Sequence, residues 1–205
     1  MLLPISKQLF LPGMPTQAHQ KHRLFLALFP DAPASRHIAQ VAHQLRAKHG
    51  LRGKVLPTDH FHVSLHHLGD FHRLPEHIIQ AAGMAATKAA ATVQPFEARF
   101  DRANSFVNKP TNRPCVLLDG GVNMALREFQ FQLVKAFGAG RSHQAFTPHL
   151  TLFYDDHIVV EELVNPVSWK VTEFVLVHSV VGEGRYERLG HWPLQAGHLI
   201  QPVSA

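Results

Sequence analysis

FHVSL at residues 61–65 and PHLTL at residues 148–152 are two versions of one pattern, and they decide how this chain folds. Each contains a histidine, one apolar residue, a hydroxyl residue and a leucine. Because a strand points alternate side chains to opposite faces, His62 shares a face with Ser64, and His149 shares a face with Thr151. The repetition predicts a duplicated half-site. Two facing imidazoles are the simplest acid–base pair that works near neutral pH.

The composition is that of an ordinary globular protein. The chain has 205 residues, of which 45% are hydrophobic, and this length fits one large domain or two small lobes. Lysine and arginine exceed aspartate and glutamate by a formal charge of +5, and 17 residues are histidines. A basic balance favours an anionic partner such as a phosphate ester or RNA, although the basic residues are scattered along the chain.

Cysteine usage and the chain ends set further limits. Cys115 is the single cysteine, which excludes an intramolecular disulfide and a zinc site of several thiolates and fits a reducing, cytoplasmic location. No apolar run reaches the roughly 18 residues of a membrane span, so no membrane partner is expected. We predict a loose N-terminal arm at 1–21, one bilobal domain at 22–194 and a C-terminal tail at 195–205.

Hydrophobic periodicity predicts an α+β architecture. Strands and helices intermix without strict alternation, which indicates mixed or antiparallel sheets with the helices outside. The two histidine strands should then lie in two similar lobes that face one central cleft. The predicted strands are 23–29, 54–56, 61–68, 96–106, 115–118, 147–154, 157–163, 168–181 and 186–194, and the predicted helices are 34–49, 75–91 and 122–137.

A cluster of histidines at 60–72 offers a different interpretation. In a regular strand His60, His62 and His66 share a face, so a transition-metal site and a metallohydrolase are conceivable. No acidic residue within the strand would complete such a site. The preferred interpretation is therefore that this cluster holds no metal, and no cofactor is expected.

Four segments resemble a known family, the LigT-like two-histidine phosphoesterases. They are RLFLALFPD at 23–31, HVSLHHLG at 62–69, FTPHLTLFY at 146–154 and YERLGHWPL at 186–194. The family includes RNA 2',3'-cyclic phosphodiesterases, historically called 2'-5' RNA ligases. The resemblance implies a bilobal fold with a central cleft. It also implies metal-independent hydrolysis of a 2',3'-cyclic phosphate to a 2'-phosphomonoester, with RNA ends or small cyclic nucleotides as partners; no protein partner is readable.

The resemblance also implies a role for each residue of the repeated pattern. His62 would be the general acid that protonates the departing 3'-oxygen, and His149 would be the general base that activates water. Ser64 and Thr151 would hold the phosphate oxygens. The residues alone leave open which histidine is the acid and which is the base.

One position departs from the family's pattern. Many members carry an arginine five residues before the second histidine, where this chain has Gln144. We predict that Arg141 replaces it from a loop. Phe153, on the Thr151 face of a regular strand, could stack on a base, with core packing as the alternative. The departure keeps a second hypothesis open, an RNA-end-binding module of the same fold with little turnover.

Overall fold

The computed structural model describes residues 21–138 and 146–195. The N-terminal arm, apart from its last residue, lies outside these ranges. The predicted C-terminal tail lies outside them beyond residue 195, as do Arg141 and Gln144. The described part contains eight strands and three helices. The strands are β1 (His22–Leu28), β2 (Val63–Phe71), β3 (Phe96–Ser105), β4 (Arg113–Leu118), β5 (His149–Asp155), β6 (Glu162–Val171), β7 (Glu173–Val180) and β8 (Tyr186–Pro193), and the helices are α1 (Ala32–His49), α2 (Glu76–Ala90) and α3 (Met124–Ala136).

All eight strands form one sheet in the order β6-β3-β4-β5-β2-β1-β7-β8. Every pairing between described neighbours is antiparallel, so the predicted α+β class is confirmed and its sheet is antiparallel rather than mixed. Each half of the sheet contributes four strands. The halves meet between β2 and β5, which pair only through Val63 and Leu150. The two histidine strands therefore lie side by side at the centre of the sheet.

The three helices begin and end within two residues of the predicted bounds. Asp31 caps α1 by accepting a hydrogen bond from Ala34 N at 2.8 Å, and Gly50 ends it in the left-handed conformation at φ 62°. The main core lies between the helices and the sheet and includes Ile38 of α1 and Phe129 of α3. No helix in the described ranges is both long and apolar enough to cross a membrane.

The opposite face of the sheet carries a second, smaller apolar cluster. On β1, Leu26 and Leu28 belong to the main core, whereas Phe25 and Ala27 pack with residues of β7 on the other face. This division follows from the two-residue repeat of a strand. Both faces of β1 are therefore apolar, and the face away from the helices is the one that can line a cleft.

Both histidine strands contain a β-bulge at the same place, directly after the hydroxyl residue. Ser64 pairs with Ala27 and His66 with Leu26, so Leu65 is the extra residue of β2. On β5, Thr151 pairs with Val116 and Phe153 with Cys115, so Leu152 is the extra residue. A bulge shifts the alternation of the residues that follow it.

The bulges overturn two expectations from the sequence. Phe153 turns to the helix side, where it is fully buried in the core, so the prediction that it stacks on a base is wrong. His66 turns to the same side and packs against Phe137, the residue that follows α3, at a ring distance of 5.1 Å. It does not share a face with His62, as a regular strand would require.

Four strand predictions need correction. Residues 54–56 form no strand: Leu56 N donates a single hydrogen bond to Leu152 O of β5, and the preceding backbone amides of Arg52 and Gly53 donate to the carboxylate of Asp155. The first histidine strand does not end at Gly69, which adopts φ 142° within β2. Residues 157–161 of the predicted strand 157–163 are irregular, and the predicted strand 168–181 is divided between β6, which begins at Glu162, and β7.

Candidate active site

The two histidines occupy equivalent positions at the junction of the two halves. His62 directly precedes β2 and His149 begins β5. Because Val63 pairs with Leu150 in antiparallel register, His62 comes level with Thr151, and Ser64 with His149. The structure thus brings together the four residues of the repeated pattern.

Each imidazole is oriented by the same local contact. His62 Nδ1 lies 2.7 Å from the carbonyl oxygen of His60, and His149 Nδ1 lies 2.8 Å from that of Thr147. A carbonyl can only accept, so Nδ1 must carry the hydrogen in both rings. The Nε2 atom of each ring is then a base when unprotonated and an acid when protonated.

The hydroxyl residues remain available for a ligand. Ser64 and Thr151 are half-buried, and within the described ranges neither hydroxyl bonds to another protein group. A hydroxyl donates one hydrogen bond and accepts others, which suits it to a phosphate oxygen. Two hydroxyls and two imidazoles on rigid strand ends form a preorganised set of donors and bases.

Aromatic rings enclose His62. Its ring centroid lies 5.1 Å from that of Phe25, 5.9 Å from that of Phe29 and 5.5 Å from that of Tyr186. Tyr186 also stacks on His60 at 4.5 Å. Burial lowers the pKa of His62 below its ordinary value, and the nearby imidazole of His149 adds to the effect. The neutral form of His62 is therefore favoured in the free protein.

His149 has different surroundings. In the described part of the chain its ring meets one other aromatic ring, Phe106, edge-on at 5.0 Å. The two halves therefore repeat the motif but not its environment.

The sequence did not single out the rings around His62. Phe25 and Ala27 of β1, together with Phe29 just beyond it, lie on the side opposite the core leucines. An apolar second face of a strand is the sequence signal that could have revealed these rings. Arg188 lies with its guanidinium 4.6 Å from the centroid of Phe29, so a cation borders this wall. Tyr186 comes from β8, and nothing in its local sequence marks it as a neighbour of His62.

The metal interpretation of the histidine cluster finds no support in the geometry. Among residues 21–138 and 146–195, no three histidine, cysteine or acidic side chains are close enough together to hold a metal ion. His66 and His62 lie on opposite faces of the sheet, so the three-histidine face that such a site requires does not form.

Comparisons with known proteins agree with this architecture. The apo crystal structure of E. coli LigT matches with a TM-score of 0.65 and 25% identity, over 85% of this chain and 98% of that one. The crystal structure of TT0787 of Thermus thermophilus matches with a TM-score of 0.63 and 25% identity, over 86% and 100% of the two chains. No curated protein sequence matches significantly. The 2'-5' RNA ligase superfamily matches residues 29–183, and the chain therefore belongs to this superfamily of LigT-like two-histidine phosphoesterases.

Proposed function

We propose that this protein is a metal-independent phosphodiesterase that opens 2',3'-cyclic phosphates at RNA ends or on small nucleotides and yields 2'-phosphomonoesters. The observation that carries the proposal is the paired arrangement of His62 and His149. Each is fixed through Nδ1 and stands level with a hydroxyl of the other half. E. coli LigT has been crystallised with 3'-AMP and with phosphate, which supports a phosphate-bearing nucleotide as ligand.

The reaction uses both histidines. One Nε2 takes a proton from water, whose oxygen attacks phosphorus as the bond from phosphorus to the 3'-oxygen breaks. The other Nε2 gives its proton to the departing 3'-oxygen, which leaves the phosphate on the 2'-oxygen. Ser64 and Thr151 donate hydrogen bonds to the phosphate oxygens, where negative charge develops.

We assign the acid to His62 and the base to His149, as the family resemblance implies. Burial favours neutral His62 in the free protein, so this assignment requires His62 to take up a proton when substrate binds. The bound phosphate favours that uptake, because an adjacent anion stabilises the imidazolium form. The acid is then charged when substrate is present.

The decisive experiment measures hydrolysis of 2',3'-cyclic nucleotides and of RNA with a 2',3'-cyclic end in the presence of EDTA. Phosphorus NMR assigns the product as a 2'- or 3'-phosphate. We expect His62→Ala and His149→Ala each to reduce kcat by about 10²- to 10⁴-fold. His66→Gln is the matched control, because this histidine lies on the same strand but faces α3. Wild-type rates in either alanine variant, or loss of activity in EDTA, would refute the proposal.

The same assay tests the alternative of a binding module with little turnover. Such a module would bind phosphate-ended oligoribonucleotides without releasing product in a single-turnover experiment. Its binding should weaken as the salt concentration rises, because phosphate contacts release counterions. We expect the single-turnover experiment to release product, as an enzyme would. We also propose that the protein works in the cytoplasm.

A further inference from the structure

We propose that Arg127 and Asp119 form a clamp that positions His149 for the reaction. Arg127 lies on α3, and Asp119 follows directly after β4. Neither residue belongs to the repeated histidine pattern. The inference rests on the proposed function only for its effect on catalysis, because its structural part can be read in the protein without substrate.

The clamp is built from short contacts of one guanidinium. Nη2 of Arg127 donates to both carboxylate oxygens of Asp119, at 2.8 and 2.9 Å. Nη1 of the same side chain donates to the carbonyl oxygen of Phe146 at 2.8 Å. The carboxylate is almost fully buried, with 2% of the side chain exposed, and Arg127 is the cation that compensates its charge.

The clamp is anchored to the sheet on its other side. Asp119 accepts a hydrogen bond from the backbone amide of Asn123, which is itself buried. The Asn123 side chain accepts from the backbone amide of Arg99 at 2.9 Å and donates to its carbonyl at 2.7 Å. A continuous chain of hydrogen bonds thus runs from β3 through Asn123 and Asp119 to Arg127.

The chain of contacts ends at the segment that orients His149. Phe146, held by Arg127, is the neighbour of Thr147, whose carbonyl accepts the Nδ1 hydrogen of His149. Fixing one carbonyl therefore restrains the next peptide and with it the direction of the imidazole. On the other half, the equivalent carbonyl belongs to His60, which is held by stacking on Tyr186 instead. Arg127 is accordingly a positioning residue for His149 and leaves His62 unaffected.

Arg127→Lys separates positioning from charge compensation. A lysine still places a cation beside Asp119, but its single nitrogen cannot reproduce the two-armed guanidinium contact. Arg127→Gln removes the charge as well. Arg113→Gln is the matched control, because the Arg113 guanidinium also donates to backbone carbonyls, those of Lys109 and Asp156.

The first readout is the imidazole nitrogen spectrum of the ¹⁵N-labelled protein, with the His149 signals assigned by comparison with His149→Gln. Wild-type protein should show one fixed tautomer with the hydrogen on Nδ1 for both His62 and His149. Both Arg127 variants should mix the tautomers of His149 and leave His62 unchanged. This readout requires no turnover, so it can succeed or fail independently of the proposed reaction.

The second readout is kinetic. With a 2',3'-cyclic nucleotide, both Arg127 variants should lower kcat by about 10- to 100-fold, with KM nearly unchanged, because a base displaced by about 1 Å reacts poorly. Arg127→Lys should keep a Tm near that of the wild type, whereas Arg127→Gln should lower it. Arg113→Gln should leave kcat and the His149 spectrum at wild-type values. An unchanged His149 spectrum and kcat in both Arg127 variants, with only Tm altered, would overturn the proposal.

Discussion

The buried carboxylate of Asp155 should make the stability of this protein depend on pH in the acid range. This side chain, 5% exposed, accepts hydrogen bonds from the backbone amides of Arg52, Gly53 and His157 at 2.6–2.9 Å. Burial alone would raise the pKa of Asp155, but the amide donors and the His157 ring outweigh it and lower the value to about 2. The perturbation we consider is Asp155→Asn, which keeps the shape and removes the charge.

The magnitude follows from the difference between folded and unfolded pKa values. An aspartate that titrates near 2 when folded and at 3.8 when unfolded contributes about 2.5 kcal/mol to the free energy of unfolding. Because the folded pKa of Asp155 is the lower one, this contribution is complete above pH 4. It is lost as the pH falls towards 2. Asp155→Asn should therefore destabilise the protein by about 2.5 kcal/mol at pH 7 and by much less at pH 2.

Urea unfolding followed by circular dichroism at several pH values between 2 and 7 measures this difference. Asp156→Asn is the control, because Asp156 is the adjacent but exposed carboxylate. Its Oδ1 accepts one hydrogen bond, from Asn112 N, which an asparagine oxygen can keep, so the effect should stay within about 0.5 kcal/mol. A destabilisation by Asp155→Asn that is the same at every pH would contradict the reasoning. So would a value near zero at pH 7.

Three further outcomes are expected. Sulfate is a phosphate mimic that does not titrate near pH 6, and its binding should be accompanied by net proton uptake, because the anion raises the lowered pKa of His62. Calorimetry in buffers of different ionisation enthalpy measures this uptake, and equal uptake by His62→Gln would contradict the prediction. Burial raises the pKa of Cys115 to about 12, so a thiol reagent should modify it in denaturant and not in the native protein. Gly53→Ala should lower the stability by about 3 kcal/mol in urea unfolding, because a Cβ would lie 2.1 Å from the carbonyl oxygen of Tyr154.

The two-residue repeat of a strand predicted correctly which side chains share a face as far as Ser64 and Thr151. It failed two residues later in each strand, at His66 and Phe153, because each strand contains a bulge. The bulged residues, Leu65 and Leu152, are of a type common in regular strands, so their identity does not indicate a bulge. The bulges lie close to the single pairing of β2 with β5, which is a property of the assembled sheet rather than of either segment.

The segment at 54–56 shows a second limit of local prediction. Its preceding amides are bound by Asp155, a residue about a hundred positions away in the sequence. No local sequence pattern predicts that Asp155 binds these amides. The helix caps behave in the opposite way: Asp31 and Gly50 act within four residues of their own helix, so a local sequence pattern is enough to indicate them.

The same reasoning explains why the repeated motif cannot divide acid from base. Both histidines use Nδ1 in the same way, and both stand level with a hydroxyl of the other half. The difference lies in what surrounds them, since Phe25 and Tyr186 enclose His62 and lower its pKa, whereas His149 meets Phe106 edge-on. These rings come from segments outside the repeat. A duplicated motif therefore supplies two similar imidazoles, and aromatic rings from outside the repeat give them different surroundings, which the proposed directed transfer of protons requires.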